Sequence, residues 1–194
     1  MTAQTSAMRP VVVTAGTWST NIGNAFFQLG ARYIVSQAAG GRPVHLLTDQ
    51  AGYWRYGPKT EPRHSAHLLD HIDAAYLVLS GSLLTYSFPV LWRRSFETLK
   101  KRGTRIVLLG VGQFDYSERE TSLCREFLGE YRPHVLVSRD SATYENFKDL
   151  AEHAYDGIDN AYFLPLAYPA LDLDYPPFIV LNFDKGPEPV CELA

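Results

Sequence analysis

The chain has 194 residues, of which 46% are hydrophobic and 20% charged, with a formal net charge of -3. That is slightly more than one domain of roughly 150 residues, and the composition is that of a chain able to bury a core. The acidic balance lacks the basic patch or stripe that nucleic-acid binding asks for.

The densest cationic stretch is Lys100, Lys101, Arg102 and Arg105. It falls where a helix should end, so interaction with the helix dipole explains it first, and an anionic-substrate role comes second. The two cysteines, Cys124 and Cys191, are far apart, which fits a reducing compartment and gives neither a disulfide framework nor a zinc site. The N-terminus is polar, the run Val11-Val12-Val13 is too short for a signal core, and no stretch approaches the ~20 apolar residues of a membrane span. The expectation is a cytoplasmic protein without a membrane span, bound metal or cofactor, with self-association left open.

Pro10 to Ala15 is β-branched and stops at Gly16, the pattern of a buried strand. A helix follows from about Asn24, with Phe27, Ala31, Ile34, Val35 and Ala38 at helical spacing and Gly40-Gly41 ending it. Val44 to Thr48 is a second strand. A polar loop from Asp49 to Arg63 carries Tyr53, Trp54 and Tyr56, and Ser65 caps a short helix through Ile72.

Ala74 to Leu79 is the third strand, closing on Ser80-Gly81-Ser82. A helix over Pro89 to Arg102 has proline in its first turn and Gly103 after its end. Arg105 to Leu109, the fourth strand, runs into Gly110-Val111-Gly112. Ser117 to Tyr131 reads as a helix opened by a capping box, Ser117 with Glu120. His134 to Val137 is a fifth strand, Asp140 caps a helix to about Glu152, and a short strand lies near Ala154-Tyr155. An Asp-rich turn and the apolar Ala161 to Leu166 complete the first 170 residues. Residues 171–194 read as a proline-rich linker and the strand Phe178 to Asp184, which either adds to the edge of the first sheet or, the favoured reading, begins a truncated second α/β domain.

Strands apolar throughout, alternating with amphipathic helices, predict an α/β, Rossmann-like fold: a mostly parallel sheet with helices on both faces. Ligands in such sheets bind outside the carboxyl ends of the strands. The residues placed there are Asn21, Gly23 and Asn24, then Ser80, Gly81 and Ser82, then Gly110, Gly112 and Gln113, then Arg139, Asp140 and Asp159.

Each has a plain structural reading as well. Asn21 to Asn24 forms either an anion-binding helix N-terminus or a cap with a glycine turn, without the signature of a P-loop or of G-x-G-x-x-G. Gly110-Val111-Gly112 is either a ligand border or a tight turn. Ser82 lacks the G-x-S-x-G surroundings of a nucleophile. Arg139 and Asp140 either serve a ligand or fix sheet to helix.

His64, His67 and His71 share one helical face at spacings of three and four, with no carboxylate placed as in H-E-x-x-H. Solvated histidines are the default, with His64 a candidate general acid or base from its loop and Asp140 the other catalytic candidate. Tyr53, Trp54, Tyr56 and Tyr86 offer ring faces that suit sugar stacking or merely fill the surface.

As an ordered set these residues resemble the polysaccharide pyruvyl transferase family across about Val11 to Leu166. Asn21-Ile22-Gly23-Asn24 is similar to the family's Asn-x-Gly-Asp loop, Ser80-Gly81-Ser82 to its glycine-rich strand end, and Gly110-Val111-Gly112 to its G-x-G. Arg139-Asp140-Ser141-Ala142-Thr143 resembles its Arg-Asp-x-x-Ser element, and Asp159-Asn160-Ala161-Tyr162 its Asp-Pro-Ala-Phe. Asn24 stands for the usual aspartate, Ser80 and Ser82 for glycines, and Asn160 for proline, departures that suggest a divergent branch.

The resemblance implies the N-terminal half of a GT-B-type, two-domain transferase. Such an enzyme passes a pyruvyl group from phosphoenolpyruvate to a sugar hydroxyl, with the arginine and histidine that grip the donor mainly in the other half. A sugar or glycan acceptor would be the partner, and the twelve strand-end residues would bind it. The alternatives are a nucleotide-sugar glycosyltransferase of similar build and a non-catalytic carbohydrate- or partner-binding module.

Overall fold

The computed structural model describes residues 8–16, 21–47 and 68–169. His64, His67, Tyr53, Trp54, Tyr56 and the expected strand Phe178 to Asp184 lie outside the described residues.

Among the described residues six strands form one sheet: β1 (Val11–Thr14), β2 (Val44–Leu47), β3 (Tyr76–Leu84), β4 (Arg105–Gln113), β5 (Val135–Ser138) and β6 (His153–Asp156). Their order is β2-β1-β3-β4-β5-β6 and every pairing is parallel. The chain steps one way from β1 to β2, then returns past β1 and steps the other way through β3 to β6. A sheet wound in both directions has its switch point between β1 and β3, where ligand crevices form in such folds.

Right-handed crossovers then require helices on opposite faces. Helix α1 (Gly23–Ala38) covers one face, its Ala31 and Val35 packing with Val11, Val13 and Val78. On the other face lie α2 (Phe88–Lys101), α3 (Glu118–Tyr131), α4 (Ser141–Phe147) and the 3-10 turn Leu68–His71. They bury the larger core, which includes Leu77, Leu79, Leu108 and Leu136 from the strands.

Aromatic rings close that core. Phe88, Phe96 and Phe127 meet at 5.1–5.9 Å, within the range where offset and edge-on contacts add to area burial. A 3-10 turn (Asn160–Phe163) and the short helix α5 (Leu164–Ala167) return to pack on α1.

Two expectations need correction. Strands β3 and β4 do not stop at Ser80-Gly81-Ser82 and Gly110-Val111-Gly112 but run through them, paired with each other to Leu84 and Gln113. The glycines are bulges: register shifts fall at Ser80/Gly81 and Leu109/Val111, and Gly81 and Gly110 take φ of 91° and 60°. Only glycine enters that region at little cost.

The helix after Asp140 was expected to reach about Glu152. It ends at Phe147, with a 3-10 turn over Lys148–Leu150. Arg125 explains the break, since it donates to the Asn146 carbonyl and holds Asp149 at 2.6 Å, taking an acceptor the helix would use.

Candidate functional site

The carboxyl edge of the sheet centres on Arg139. Its backbone N–H donates to the Val111 carbonyl at 2.9 Å, the last rung between β4 and β5. Its guanidinium folds back over Gly112, filling the space a Cβ there would need. It donates to Ser82 Oγ at 2.5 Å and to Asp159 Oδ2 at 3.3 Å. Side-chain exposures of 27% for Arg139 and 28% for Asp159 keep the pair reachable from solvent yet sheltered. Three segments separated by 57 and 20 positions thus meet at one cation.

Asp140 has a structural commitment. Its Oδ1 accepts the Thr143 N–H at 2.7 Å, capping α4, and its Oδ2 accepts the Thr143 and Tyr116 hydroxyls, both at 2.9 Å. Burial, with the bond to Asp140 next, raises the Tyr116 phenol above its ordinary range. A carboxylate with three donors fixes the start of α4.

Asn160 is almost fully buried, at 1% exposure. Its Nδ2 donates to the Leu109 carbonyl at 2.7 Å, the residue before the Gly110 bulge. A Cβ on Gly110 would lie 2.6 Å from the Asn160 amide, and one on Gly30 of α1 would collide with the Asn160 backbone carbonyl. The bulge therefore closes on the Asn160 side chain, while α1 packs on its backbone. Asp159, at φ -63° and ψ 134°, caps the turn by accepting the Ala161 N–H at 2.9 Å.

Gln113 is turned inward. It is 1% exposed, donates to Thr121 Oγ1 at 2.9 Å and accepts from Asn146 Nδ2 at 2.7 Å, latching β4 to α3 and α4. Ser80 Oγ is buried without a hydrogen bond, and Gly81 lies against the Phe27 ring of α1. Gly110 and Gly112 are buried beneath Asn160 and Arg139. Of the twelve strand-end positions, Ser82, Arg139 and Asp159 come together with side chains at the surface.

Asn21 and Asn24 stand at the start of α1 on the same edge. Asn21 Oδ1 accepts the Gly23 N–H at 3.0 Å, and the Ile22 side chain does not cap α1. Gln28 Oε1 accepts the Gly16 N–H at 3.0 Å and ties α1 to the end of β1.

The sequence reading missed the loop after β4. Glu120 Oε1 accepts three successive backbone N–H groups, from Phe114, Asp115 and Tyr116, at 3.1, 3.0 and 3.1 Å. That clasp presents Phe114 (75% exposed) and Tyr116 (44%) near Tyr86 (38%). The Tyr86 hydroxyl bonds to Asp115 and, at 2.9 Å, to Ser117. The capping-box glutamate was the available signal, but its carboxylate reaches back past Ser117 into the loop.

A cavity of about 320 Å³ lies elsewhere, beneath the C-terminal half of α1, lined by apolar residues such as Val11, Val35 and Leu109. It gathers none of the strand-end groups. Among the described residues, no helix is long and apolar enough to cross a membrane.

Fold and site together define a doubly wound parallel α/β domain with a polar, aromatic-flanked carboxyl edge. No family model, curated protein or solved structure matches the chain.

Proposed function

We propose that this chain provides the acceptor side of a pyruvyl transferase acting in the cytoplasm. The reaction passes a pyruvyl group from phosphoenolpyruvate to a cell-surface glycan or its precursor. The observation that carries this reading is the junction at Arg139, because Ser82, Gly112, Arg139 and Asp159 belong to separate elements of the resemblance.

A guanidinium, a hydroxyl and a carboxylate in one sheltered place supply both donors and acceptors for sugar hydroxyls. The rings of Tyr86, Phe114 and Tyr116 offer apolar faces for the sugar's C–H side. The departure at Asn160 is compatible with the resemblance. It occupies the first position of a helical turn after an extended residue, a place where proline also fits.

In the chemistry, an acid protonates the methylene carbon of phosphoenolpyruvate and a sugar hydroxyl adds to the neighbouring carbon. A second hydroxyl then displaces phosphate, leaving a ketal and inorganic phosphate. No described residue is assigned to the acid or to the donor's charges. Arg139, Ser82 and Asp159 orient the hydroxyls.

The test is release of inorganic phosphate from phosphoenolpyruvate by the full chain with a panel of acceptor oligosaccharides. Release that depends on acceptor and on Arg139 supports the reading. One observation favours a second reading, a non-catalytic carbohydrate-binding module: Asp140, the acid nearest Arg139 in sequence, is held by three donors. Glycan binding sensitive to Arg139→Ala without phosphate release selects that module. Binding of a nucleotide but not phosphoenolpyruvate selects a glycosyltransferase.

A further inference from the structure

The geometry points to a zinc-type metal site formed by His134, Glu152 and His153 at the amino edge of the sheet, opposite the Arg139 junction. Each of the three offers a ligand atom, and these atoms all lie within 4.8 Å of one another. His134 Nδ1 is 2.7 Å from Glu152 Oε2, and the two imidazole rings stand 5.4 Å apart at 80°.

The backbone beneath them is fixed. His134 N–H donates to the Ile106 carbonyl at 2.8 Å, Glu152 N–H to Pro133 at 3.0 Å, and His153 N–H to His134 at 3.1 Å. Residues 134 and 153 therefore sit side by side where β5 and β6 begin. The paired strand starts fix the backbone that carries the three side chains.

A tetrahedral zinc with bonds of roughly 2.0–2.2 Å holds its ligand atoms about 3.3 Å apart. The exposed side chains of Glu152 and His153 have room for the rotation this needs. Two imidazoles and one carboxylate suit zinc and its neighbours, whereas magnesium and calcium prefer oxygen ligands throughout.

Arg105 opens β4 at the same edge of the sheet. Arg105 donates to the Tyr76 hydroxyl at 3.2 Å and lies over the Tyr76 ring at 5.9 Å. The site would clamp the edge strand β6 to β5, and a metal bound only by the folded chain raises its melting temperature.

Metal-free full-length protein is titrated with Zn(II) against a chromophoric chelator, with Co(II) absorption and thermal melting read in parallel. One Zn(II) binds per chain, and His134→Ala, His153→Ala and Glu152→Gln each weaken binding by about tenfold or more. The same variants lose the metal-dependent rise in melting temperature, while His45→Ala on β2 retains it. The proposal is overturned if wild type binds no Zn(II), or if a double variant His134→Ala/His153→Ala binds it as tightly as wild type. The readouts involve neither glycan nor phosphoenolpyruvate, so this outcome is independent of the proposed function.

Discussion

Gly110 and Asn160 define a pair whose energetic coupling follows from the geometry. Gly110→Ala places an L-residue at φ 60°, costing about 1–2 kcal/mol. It also drives a methyl to 2.6 Å from the Asn160 amide, and overpacking of this kind costs a further ~1–3 kcal/mol. Asn160→Ala removes the 2.7 Å bond to the Leu109 carbonyl and empties the buried place of the amide, a loss of about 1–3 kcal/mol. In the Asn160→Ala background the collision is gone, so Gly110→Ala costs only the backbone term. The double variant is therefore less destabilised than the sum of the singles, by about 1–3 kcal/mol. Urea unfolding of the four proteins with a common m-value measures this directly. Additivity within about 0.5 kcal/mol would show that the Asn160 side chain does not fill the bulge, and the fit of the turn against β4 would have to be abandoned.

Glu120→Ala strips three backbone N–H groups of their acceptor, so stability falls by about 2–4 kcal/mol and the amides of residues 114–116 exchange faster. Unchanged protection of those amides would contradict the clasp. Burial, with the charge of Glu120 second, pushes the Cys124 thiol from 9.0 up to about 12. Iodoacetamide should therefore label Cys124 far more slowly in the folded chain than in urea at neutral pH, read on its own peptide by mass spectrometry, and equal rates would refute its burial. With the folded value raised, the stabilising share of the neutral thiol is complete below 9.0 and is lost as pH climbs toward about 12. Cys124→Ala should flatten the fall in stability across that window.

The sequence carried the fold because its signals were local and agreed with one another. β-Branched runs such as Val11-Val12-Val13 became paired strands, and Ser117 and Asp140 cap α3 and α4 as their spacing to residues 120 and 143 predicts. Glycine was the misleading signal. Gly81 and Gly110 read as strand ends because positive φ also suits turns, and only pairing with neighbouring strands makes them bulges. The junction at Arg139 was legible in part: its members were named, but that Gln113 turns inward while Ser82 turns outward depends on the register shift. The grouping of His134 with His153 was illegible for a related reason, since it exists only once β5 and β6 pair.

The most direct test of the proposed function is phosphate release from phosphoenolpyruvate with acceptor glycans, measured for wild type and Arg139→Ala, with melting temperature as control. Arg139 is a partly exposed ion-pair partner, so its loss should change stability by only about 1 kcal/mol or less. The account predicts acceptor-dependent release by wild type that falls about tenfold or more in the variant, while melting stays close to wild type. Release of equal rate in both proteins, or no acceptor-dependent release by wild type, would contradict it.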